Sequence, residues 1–228
     1  MRTLTVDVGG SGLKAAVLDA KGKMVADRVR VPTPVGHPPK VVVRAILDLV
    51  APLGAFDRVS VGFPGVVRAG VVHTAPNLDH AKWRGFNLAR QMADALKVPV
   101  RVLNDSEVQG FAVIEGKGIE LVITLGTGIG SALFRDGELM PHLELSQHPI
   151  HKGKTYDEYL GDKARKHVGN RKWNRRVRRA LAVLDVVVNY DRLHIGGGNA
   201  KRIDFKLGPR ARTVSNSAGV RGGIALWE

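Results

Sequence analysis

Two glycine-rich turns carry the residues of this chain whose types and spacing could do chemistry. Each turn lies between two apolar runs and contains one hydroxyl residue: Gly9-Gly10-Ser11-Gly12 and Gly126-Thr127-Gly128. Because glycine has no Cβ, such a turn can adopt positive φ and bring backbone N–H groups close to a ligand. Successive N–H groups around a turn form a concave anion site that suits phosphate. Two such turns therefore predict two walls of one phosphate-transfer cleft.

The alternative for each turn is an ordinary tight hairpin, since an isolated glycine motif is a weak signal. Neither turn ends in the Gly-Lys-Ser/Thr of a Walker loop. Neither is a Rossmann fingerprint, because each leads into a second strand and not into a helix. The occurrence of two turns with the same pattern favours phosphate binding over two plain hairpins.

A carboxylate for acid–base chemistry is offered by Asp105, within Leu103-Asn104-Asp105-Ser106. The apolar run before it predicts a buried strand and the residues after it a helix, which is where open α/β sheets bind ligands. Phosphoryl transfer to an alcohol needs a carboxylate that accepts the hydroxyl proton. The alternative is an N-cap for the following helix, and the two roles can coexist on one residue.

The first turn has two charged neighbours, Asp7 before it and Lys14 after it. A carboxylate in an otherwise apolar strand is costly unless it has a partner, and Mg²⁺, bound directly or through water, is a natural one. The alternative for Asp7 is a hydrogen bond from N–H groups of the turn. Lys14 could bind a phosphate, or it could point outward from an edge strand.

A basic tract runs from Lys163 to Arg179, with nine Lys or Arg residues and no acid. Apolar residues at helical spacing, Trp173 among them, predict a face packed in the core. A second stripe of the same helix carries only cations: Lys172, Arg175, Arg176 and Arg179. A charged face is usually just solvated, but solvated faces mix signs. This tract therefore predicts a surface for a polyanion, and inorganic polyphosphate suits it because arginine binds phosphate oxygens.

The elements that would position these residues alternate between strands and helices, which indicates an α/β fold. Strands are predicted at 3–8, 13–19, 24–31, 58–63, 98–103, 192–195 and 211–214, a hairpin at 121–134, and helices at 41–50, 85–96, 105–115 and 217–226. Each half opens with a hairpin and a phosphate-type turn, so we expect an internal duplication. The predicted domains are a small lobe, 1–104, with the first turn and sugar contacts, and a large lobe, 105–216, with the second turn and the basic helix; the C-terminal helix, 217–228, could pack on the small lobe.

Composition bounds the function further. The chain has 228 residues, a net charge of +14 and no cysteine. The charge implies a polyanionic substrate or partner, and the missing cysteines exclude disulfides and thiolate metal sites. No run of about 18 apolar residues is present, so we expect no membrane span. The start shows no secretory signal, and we expect a cytoplasmic protein.

With these motifs together, the chain resembles the ROK family of sugar kinases in the actin-like, hexokinase-like ATPase superfamily, and within it the polyphosphate-dependent glucokinases. The resemblance extends over nearly the whole chain, in the motifs Asp7 to Lys14, Gly62-Phe63-Pro64-Gly65, Asn77, Asn104-Asp105, Leu125 to Gly130 and Gly196-Gly197-Gly198-Asn199. It implies a two-lobed actin-like (ribonuclease H-like) fold with a central cleft.

The resemblance also implies roles for individual residues. Asp105 would be the base that faces the acceptor hydroxyl. Sugar hydroxyls would be held by Asn77, Asn104, Asp105 and Glu144. Phosphates or a nucleotide would be held by Gly9, Gly10, Ser11, Gly12, Lys14, Gly126, Thr127, Gly128, Gly197, Gly198 and Asn199. The cofactor would be Mg²⁺, held by Asp7, with ATP or polyphosphate as donor.

One loop departs from the family pattern. Glu144 and Gln147 lie in a polar loop that could be exposed and inert, or could receive sugar hydroxyls through planar carboxylate and amide groups. ROK sugar kinases usually have Gly-His where this chain has Ser146-Gln147, which leaves the identity of the sugar open. Many members carry a zinc site of cysteines and a histidine, and without cysteine no zinc is expected here.

The sequence thus predicts a sugar kinase that phosphorylates glucose on its 6-hydroxyl from polyphosphate, ATP or both, as a homodimer. A kinase of another hexose, such as mannose or an amino sugar with ATP as donor, stays open. The further alternative is a ROK-like nucleic-acid-binding regulator, since clustered arginines are also the footprint of nucleic-acid binding. We do not expect nucleic acid as a partner, because no helix-turn-helix segment precedes the first strand.

Overall fold

The computed structural model describes residues 1–36, 38–76, 78–215 and 218–227, with the backbone alone for 218–221. Two compact units are formed by Met1–Ala112 with Gly219–Glu228, and by Val113–Ala218; they are called unit 1 and unit 2 below. The predicted division after residue 104 stays a prediction. Among the described residues, no helix combines the length and the apolar character needed to cross a bilayer.

Fourteen strands form among the described residues. They are β1 Thr3–Val8, β2 Leu13–Leu18, β3 Val29–Val31, β4 Arg58–Phe63, β5 Val67–Arg68, β6 Val71–Val72, β7 Val100–Asn104, β8 Ile119–Leu125, β9 Ile129–Arg135, β10 Glu138–Leu139, β11 Pro149–His151, β12 Lys154–Thr155, β13 Arg192–Gly196 and β14 Ala211–Thr213.

Seven α-helices accompany these strands in the described part of the chain. They are α1 Pro39–Val50, α2 His80–Trp83, α3 Leu88–Leu96, α4 Asp105–Phe111, α5 Tyr156–Leu160, α6 Asp162–Val188, which is kinked at Gly169, and α7 Ala218–Ala225. Three short 3₁₀ helices span Ala51–Leu53, Leu145–Gln147 and Ala200–Arg202.

Each unit is built on a five-stranded mixed sheet, and the two sheets follow the same plan. The order is β3-β2-β1-β4-β7 in unit 1 and β10-β9-β8-β13-β14 in unit 2. In both, three strands pair antiparallel and two more continue in parallel from the first strand of the hairpin. The repetition predicted from the two hairpins is therefore present in the topology.

Apolar faces of the helices cover both sheets. In unit 1, the α1 side chains Val42 and Ile46 are fully buried in one core with Leu4, Trp83 and Met92. In unit 2, Trp173 is fully buried, and its Nε1–H donates to the carbonyl of Leu160 at 2.7 Å. The prediction that Trp173 is a core aromatic is thus confirmed.

Element ends differ from the predicted ones where side chains intervene. Helix α3 begins at Leu88 and not at Gly85, because the Asn87 side chain caps it by accepting from the N–H of Arg90. Helix α4 ends at Phe111 and not near residue 115, because the carboxylate of Glu120 accepts from three N–H groups, those of residues 115–117. The third strand contains only Val29–Val31 of the predicted 24–31.

Candidate functional site

The first glycine turn joins β1 to β2 in unit 1. The N–H of Gly9 donates to the carbonyl of Gly12 at 3.0 Å, and Thr33 Oγ1 donates to the carbonyl of Gly9 at 2.5 Å. A Cβ on Gly9 would lie 2.9 Å from Gly12 O. Neither Gly9 nor Gly12 has positive φ, so glycine is needed at Gly9 for space and not for left-handed backbone. Within the described residues the N–H of Ser11 has no acceptor, which leaves it open to an oxyanion.

Three charged side chains stand in a row beside this turn. In the strand register, Asp7 on β1 lies opposite Lys14 on β2, and Lys14 lies opposite Arg30 on β3. Lys14 Nζ lies 2.8 Å from Asp7 Oδ2. The alternative in which Asp7 bonds to turn N–H groups is therefore wrong, since its carboxylate is half-exposed and pairs with Lys14. The alternative of an edge-strand Lys14 is also wrong, because β3 covers β2.

The edge of the unit 1 sheet brings Asp105 to the same face as Asp7. Asp7 pairs with Gly62 on the neighbouring strand β4, and a Cβ on Gly62 would meet the Cα of Asp105 at 3.4 Å. One strand lies between β1, which carries Asp7, and β7, which ends directly before Asp105, so these two strands are about 10 Å apart. Asp105 is half-buried and is the first residue of α4. The absence of a side chain at Gly62 leaves room in front of it.

Asn104 occupies the N-cap of α4 and is buried, at 5% exposure. Its Oδ1 accepts from the N–H of Ser106 at 2.8 Å, and its Nδ2 donates to the carbonyl of Gly65 at 3.1 Å. Glu107 completes a capping box by accepting from the N–H of Asn104 at 2.9 Å. The amide therefore fixes both the start of α4 and the Gly62 to Gly65 turn, while its direct contact with a sugar stays a prediction. Asn77 lies outside the described residues.

The second glycine turn joins β8 to β9 in unit 2, and the first residue of α6 donates hydrogen bonds to it. The N–H of Gly126 donates to the carbonyl of Gly128 at 2.9 Å. The N–H of Asp162 donates to the carbonyls of Gly126 and Thr127 at 3.0 and 3.2 Å. In the described part of the chain, the N–H groups of Thr127 and Gly128 have no acceptor. Positive φ is again not used at Gly126 or Gly128.

An acid that the sequence did not single out lies against this turn. The Asp157 carboxylate accepts from the N–H of Ile129 at 2.6 Å, and a Cβ on Gly128 would lie 2.7 Å from either of its oxygens. Burial raises the pKa of Asp157, and the nearby Glu144 carboxylate adds to the rise. The sequence gives little sign of this role: Asp157 follows Ile129 by 28 residues and lies in the first turn of α5, which is capped by Thr155.

The Gly197 to Asn199 segment packs directly on the second turn. Gly197 has φ +87°, and a Cβ there would lie 2.3 Å from the carbonyl oxygen of Leu125. Asn199 donates from Nδ2 to the carbonyl of Gly126 at 3.2 Å and to Asp162 Oδ1 at 3.3 Å. These contacts bring together the two segments predicted to hold donor phosphates or a nucleotide. Gly198 lies between Gly197 and Asn199 in the chain.

Asp162 carries the charge that ties the turn to the basic helix. Hydrogen bonds from Lys166 and Arg165 lower the pKa of its carboxyl to about 2, against a usual value of 3.8. Lys166 Nζ and Arg165 Nη2 lie 2.7 and 2.9 Å from its two oxygens. Two cations of the basic tract thus share one carboxylate within the chain.

Glu144 and Gln147 are brought together through Ser146. Gln147 Nε2 donates to Ser146 Oγ at 3.0 Å, and that hydroxyl donates to Glu144 Oε1 at 2.6 Å. Burial opposes ionisation of Glu144, but hydrogen bonds from His142 and Ser146 outweigh it and lower the pKa. The loop therefore presents an ionised carboxylate, half-buried, beside an exposed amide.

The basic stripe on α6 divides into exposed and structural members. Lys172, Arg175 and Arg179 are exposed, and Arg179 contacts the ring of His151. Arg176 is half-buried, donates to the carbonyl of Tyr159 at 3.0 Å and lies over its ring. In the described residues Lys172 and Arg175 have no side-chain partner, so they present free charge.

The chain is similar to known sugar kinases in sequence and in structure. The family model described as "ROK family" matches residues 3–141. A polyphosphate glucokinase of Mycobacterium tuberculosis (strain CDC 1551 / Oshkosh) is 33% identical over 209 residues, covering 87% of this chain and 78% of that protein. The solved inorganic polyphosphate/ATP-glucomannokinase from Arthrobacter sp. strain KM superposes with a TM-score of 0.86 at 32% identity, over 99% of this chain and 97% of that one.

A more distant structure shares the fold. The ROK family glucokinase from Streptomyces griseus, solved with glucose and AMPPNP, has a TM-score of 0.79 at 20% identity and covers 99% of both chains. The prediction of an α/β actin-like ATPase fold is thereby confirmed.

Proposed function

We infer the activity of this chain from its membership of the ROK family, to which it belongs by both family match and overall similarity: it is a sugar kinase that transfers a phosphoryl group from inorganic polyphosphate or ATP to glucose. The observation that carries this function is the edge of the unit 1 sheet. There the hairpin turn with the open N–H of the exposed Ser11 follows β1, and Asp7 and Asp105 lie on one side of the sheet.

Asp105 serves as the base. The sugar 6-hydroxyl gives its proton to the carboxylate as the hydroxyl oxygen attacks the terminal phosphorus of the donor, and the bond from that phosphorus to the bridging oxygen breaks. Its half-buried place at the start of α4 holds the carboxylate still, and Asn104 fixes that start through the capping box. Positioning and charge stabilisation supply most of the acceleration in this chemistry.

Asp7 fits a magnesium ion. Magnesium keeps several waters and binds through one or two carboxylates together with substrate phosphates. No group of three acidic or histidine side chains among the described residues could hold a metal alone. The half-exposed Asp7 beside the first turn matches that lean donor set. When bound there with the donor, the ion would neutralise phosphate charge.

The basic stripe supports polyphosphate as a donor. Exposed Lys172, Arg175 and Arg179 sit at helical spacing i, i+3 and i+7, so their charges follow one line for about 10 Å. A chain of repeated phosphates can neutralise several of these side chains at once, whereas a nucleoside triphosphate carries only three phosphate groups. Glu144 and Gln147 are proposed to receive the sugar hydroxyls, with glucose as the sugar.

A second acceptor is mannose. The Arthrobacter enzyme is named a glucomannokinase, and the Ser146-Gln147 pair replaces a usual Gly-His. We propose glucose first because the Mycobacterium relatives are named glucokinases. The predicted homodimer and cytoplasmic location stay predictions, and light scattering would report the mass of the assembly.

Single-turnover assays with each donor and each sugar test the function. Glucose 6-phosphate should form with polyphosphate and Mg²⁺; sugar phosphate from ATP alone would contradict the donor assignment, and none from either donor would contradict the activity.

A triple variant, Lys172→Gln with Arg175→Gln and Arg179→Gln, tests the stripe. It should raise KM for polyphosphate about tenfold or more, because charge-assisted contacts are lost, with KM for glucose unchanged. Arg176→Gln is the matched control, since that guanidinium is engaged by Tyr159: it should lower stability more than it changes KM. Equal KM values for polyphosphate in the triple variant and wild type would remove the stripe from donor binding.

A further inference from the structure

We propose that Arg30, on the edge strand β3, binds oxygens of the phosphoryl donor at the first glycine turn. The proposal rests on the kinase activity inferred above and adds a residue to its donor site. The chemistry recognised is a phosphoanhydride oxyanion, whether it comes from a nucleotide or from polyphosphate.

The first support is the place of the guanidinium. A Cβ on Gly12 would lie 3.4 Å from Arg30 Nε and 3.6 Å from its second terminal nitrogen. The guanidinium therefore lies against the backbone of the turn itself. Arg30 is exposed, and among the described residues its side chain has no acid or acceptor as partner.

The second support is that the chain around Arg30 is tied to the turn. Strand β3 pairs with β2 in the register Leu13 to Val31 and Lys14 to Arg30. Thr33 Oγ1 then donates to the carbonyl of Gly9 at 2.5 Å. Residues 29–33 thus form one wall of the turn, and the arginine is carried on a fixed element rather than on a free loop.

The third support is charge. Opposite residues in an antiparallel pair project to the same face, and like charges there are destabilising. Lys14 and Arg30 are such a pair, and Asp7 neutralises only Lys14. One positive charge is left uncompensated beside the open N–H of Ser11. An oxyanion held on that N–H would complete the balance, and the planar fork of arginine suits two of its oxygens.

Arg30→Gln and Arg30→Lys test the proposal, with Arg90→Gln as control because Arg90 is an exposed arginine on α3 of the same unit. Arg30→Gln should raise KM for the donor about tenfold, with KM for glucose and the melting temperature unchanged. Arg30→Lys should recover part of the loss, since it keeps the charge but not the fork. Arg90→Gln should match wild type.

Binding of inorganic tripolyphosphate, measured by calorimetry without sugar, gives a readout besides turnover: it should weaken in Arg30→Gln, weaken less in Arg30→Lys and match wild type in Arg90→Gln. Comparing KM for ATP with KM for polyphosphate tells which source contacts Arg30; a rise for either supports the proposal. Wild-type activity with unchanged donor KM and unchanged tripolyphosphate affinity in Arg30→Gln would overturn it while the kinase function stands.

Discussion

The two glycine turns look alike in sequence but differ in their surroundings. The first turn, in unit 1, lies beside two cations and one acid: the Arg30 guanidinium is 3.4 Å from where a Cβ on Gly12 would stand, and Lys14 pairs with Asp7. The second turn, in unit 2, lies beside acids: Asp157 accepts from Ile129, and Asp162 donates its N–H to the turn carbonyls. The two turns therefore differ in what borders them: the charge of Arg30, unpaired among the described residues, lies beside the first, whereas the Asp157 carboxylate and the start of α6 pack on the second.

The largest effect is expected at Asp105, which belongs to the first region. Asp105→Asn keeps the size of the side chain but cannot accept the hydroxyl proton, so kcat should fall by at least about a hundredfold. Glucose affinity, measured by calorimetry, should stay near wild type. Asp48→Asn, on the exposed face of α1, is the control. Wild-type kcat in Asp105→Asn would remove its assigned role.

The two glycines of the second turn differ in how much room each has for an added methyl group. Gly128→Ala would place a Cβ 2.7 Å from the Asp157 oxygens, whereas in Gly126→Ala the nearest atom is 3.9 Å away. Gly128→Ala should therefore lower the free energy of unfolding by about 1–3 kcal/mol, the usual cost of overpacking, with Gly126→Ala near wild type in urea unfolding. Equal stabilities would mean that Asp157 does not define the shape of this turn.

Removing one hydroxyl tests how firmly the first turn is held. Thr33→Val keeps the shape of the side chain but loses the bond to the Gly9 carbonyl, so stability should fall by about 1 kcal/mol. Donor KM should rise with it, because the wall of the turn loosens. Thr213→Val, at an exposed position on β14, should change neither quantity; the same loss in both variants would assign the effect to threonine in general.

The smallest effect is the titration of Asp162. Its folded pKa of about 2 lies below the usual 3.8, so the stability it contributes is present above pH 4 and is lost as the pH falls through 2. Asp162→Asn keeps the backbone bonds to the second turn and loses the charge. The melting temperature of this variant should depend less on pH between 4 and 2 than that of wild type. Parallel profiles would place the acid sensitivity elsewhere.

Local pattern was enough for much of the fold. Strands β1 and β2 were predicted at 3–8 and 13–19 and are found at Thr3–Val8 and Leu13–Leu18. Alternating apolar residues specify a strand by contacts with near neighbours, and the glycines mark the turn between them. The start of α4 was predicted at residue 105 and is found at Asp105, but the N-cap is Asn104, which forms a capping box with Glu107, and not Asp105, for which that role was the alternative.

The candidate site was less predictable, because its side chains meet across long stretches of chain. Ile129 and Asp157 are 28 residues apart, and Thr33 reaches Gly9 over 24. The predicted stripe on α6 shows the same limit: helical spacing groups Arg176 with its neighbours, but its guanidinium packs on Tyr159.

The sequence by itself determined the α/β class, the duplicated hairpins, the two glycine turns and the basic helix, because each depends on residues close together in the chain. Only the tertiary structure decided which charges are spent inside the protein and which face a ligand. Arg165 and Lys166 share the carboxylate of Asp162, and Lys14 pairs with Asp7, whose carboxylate is still half-exposed. Arg30 is brought to the first turn by strand pairing, a long-range contact that spacing along the chain does not encode.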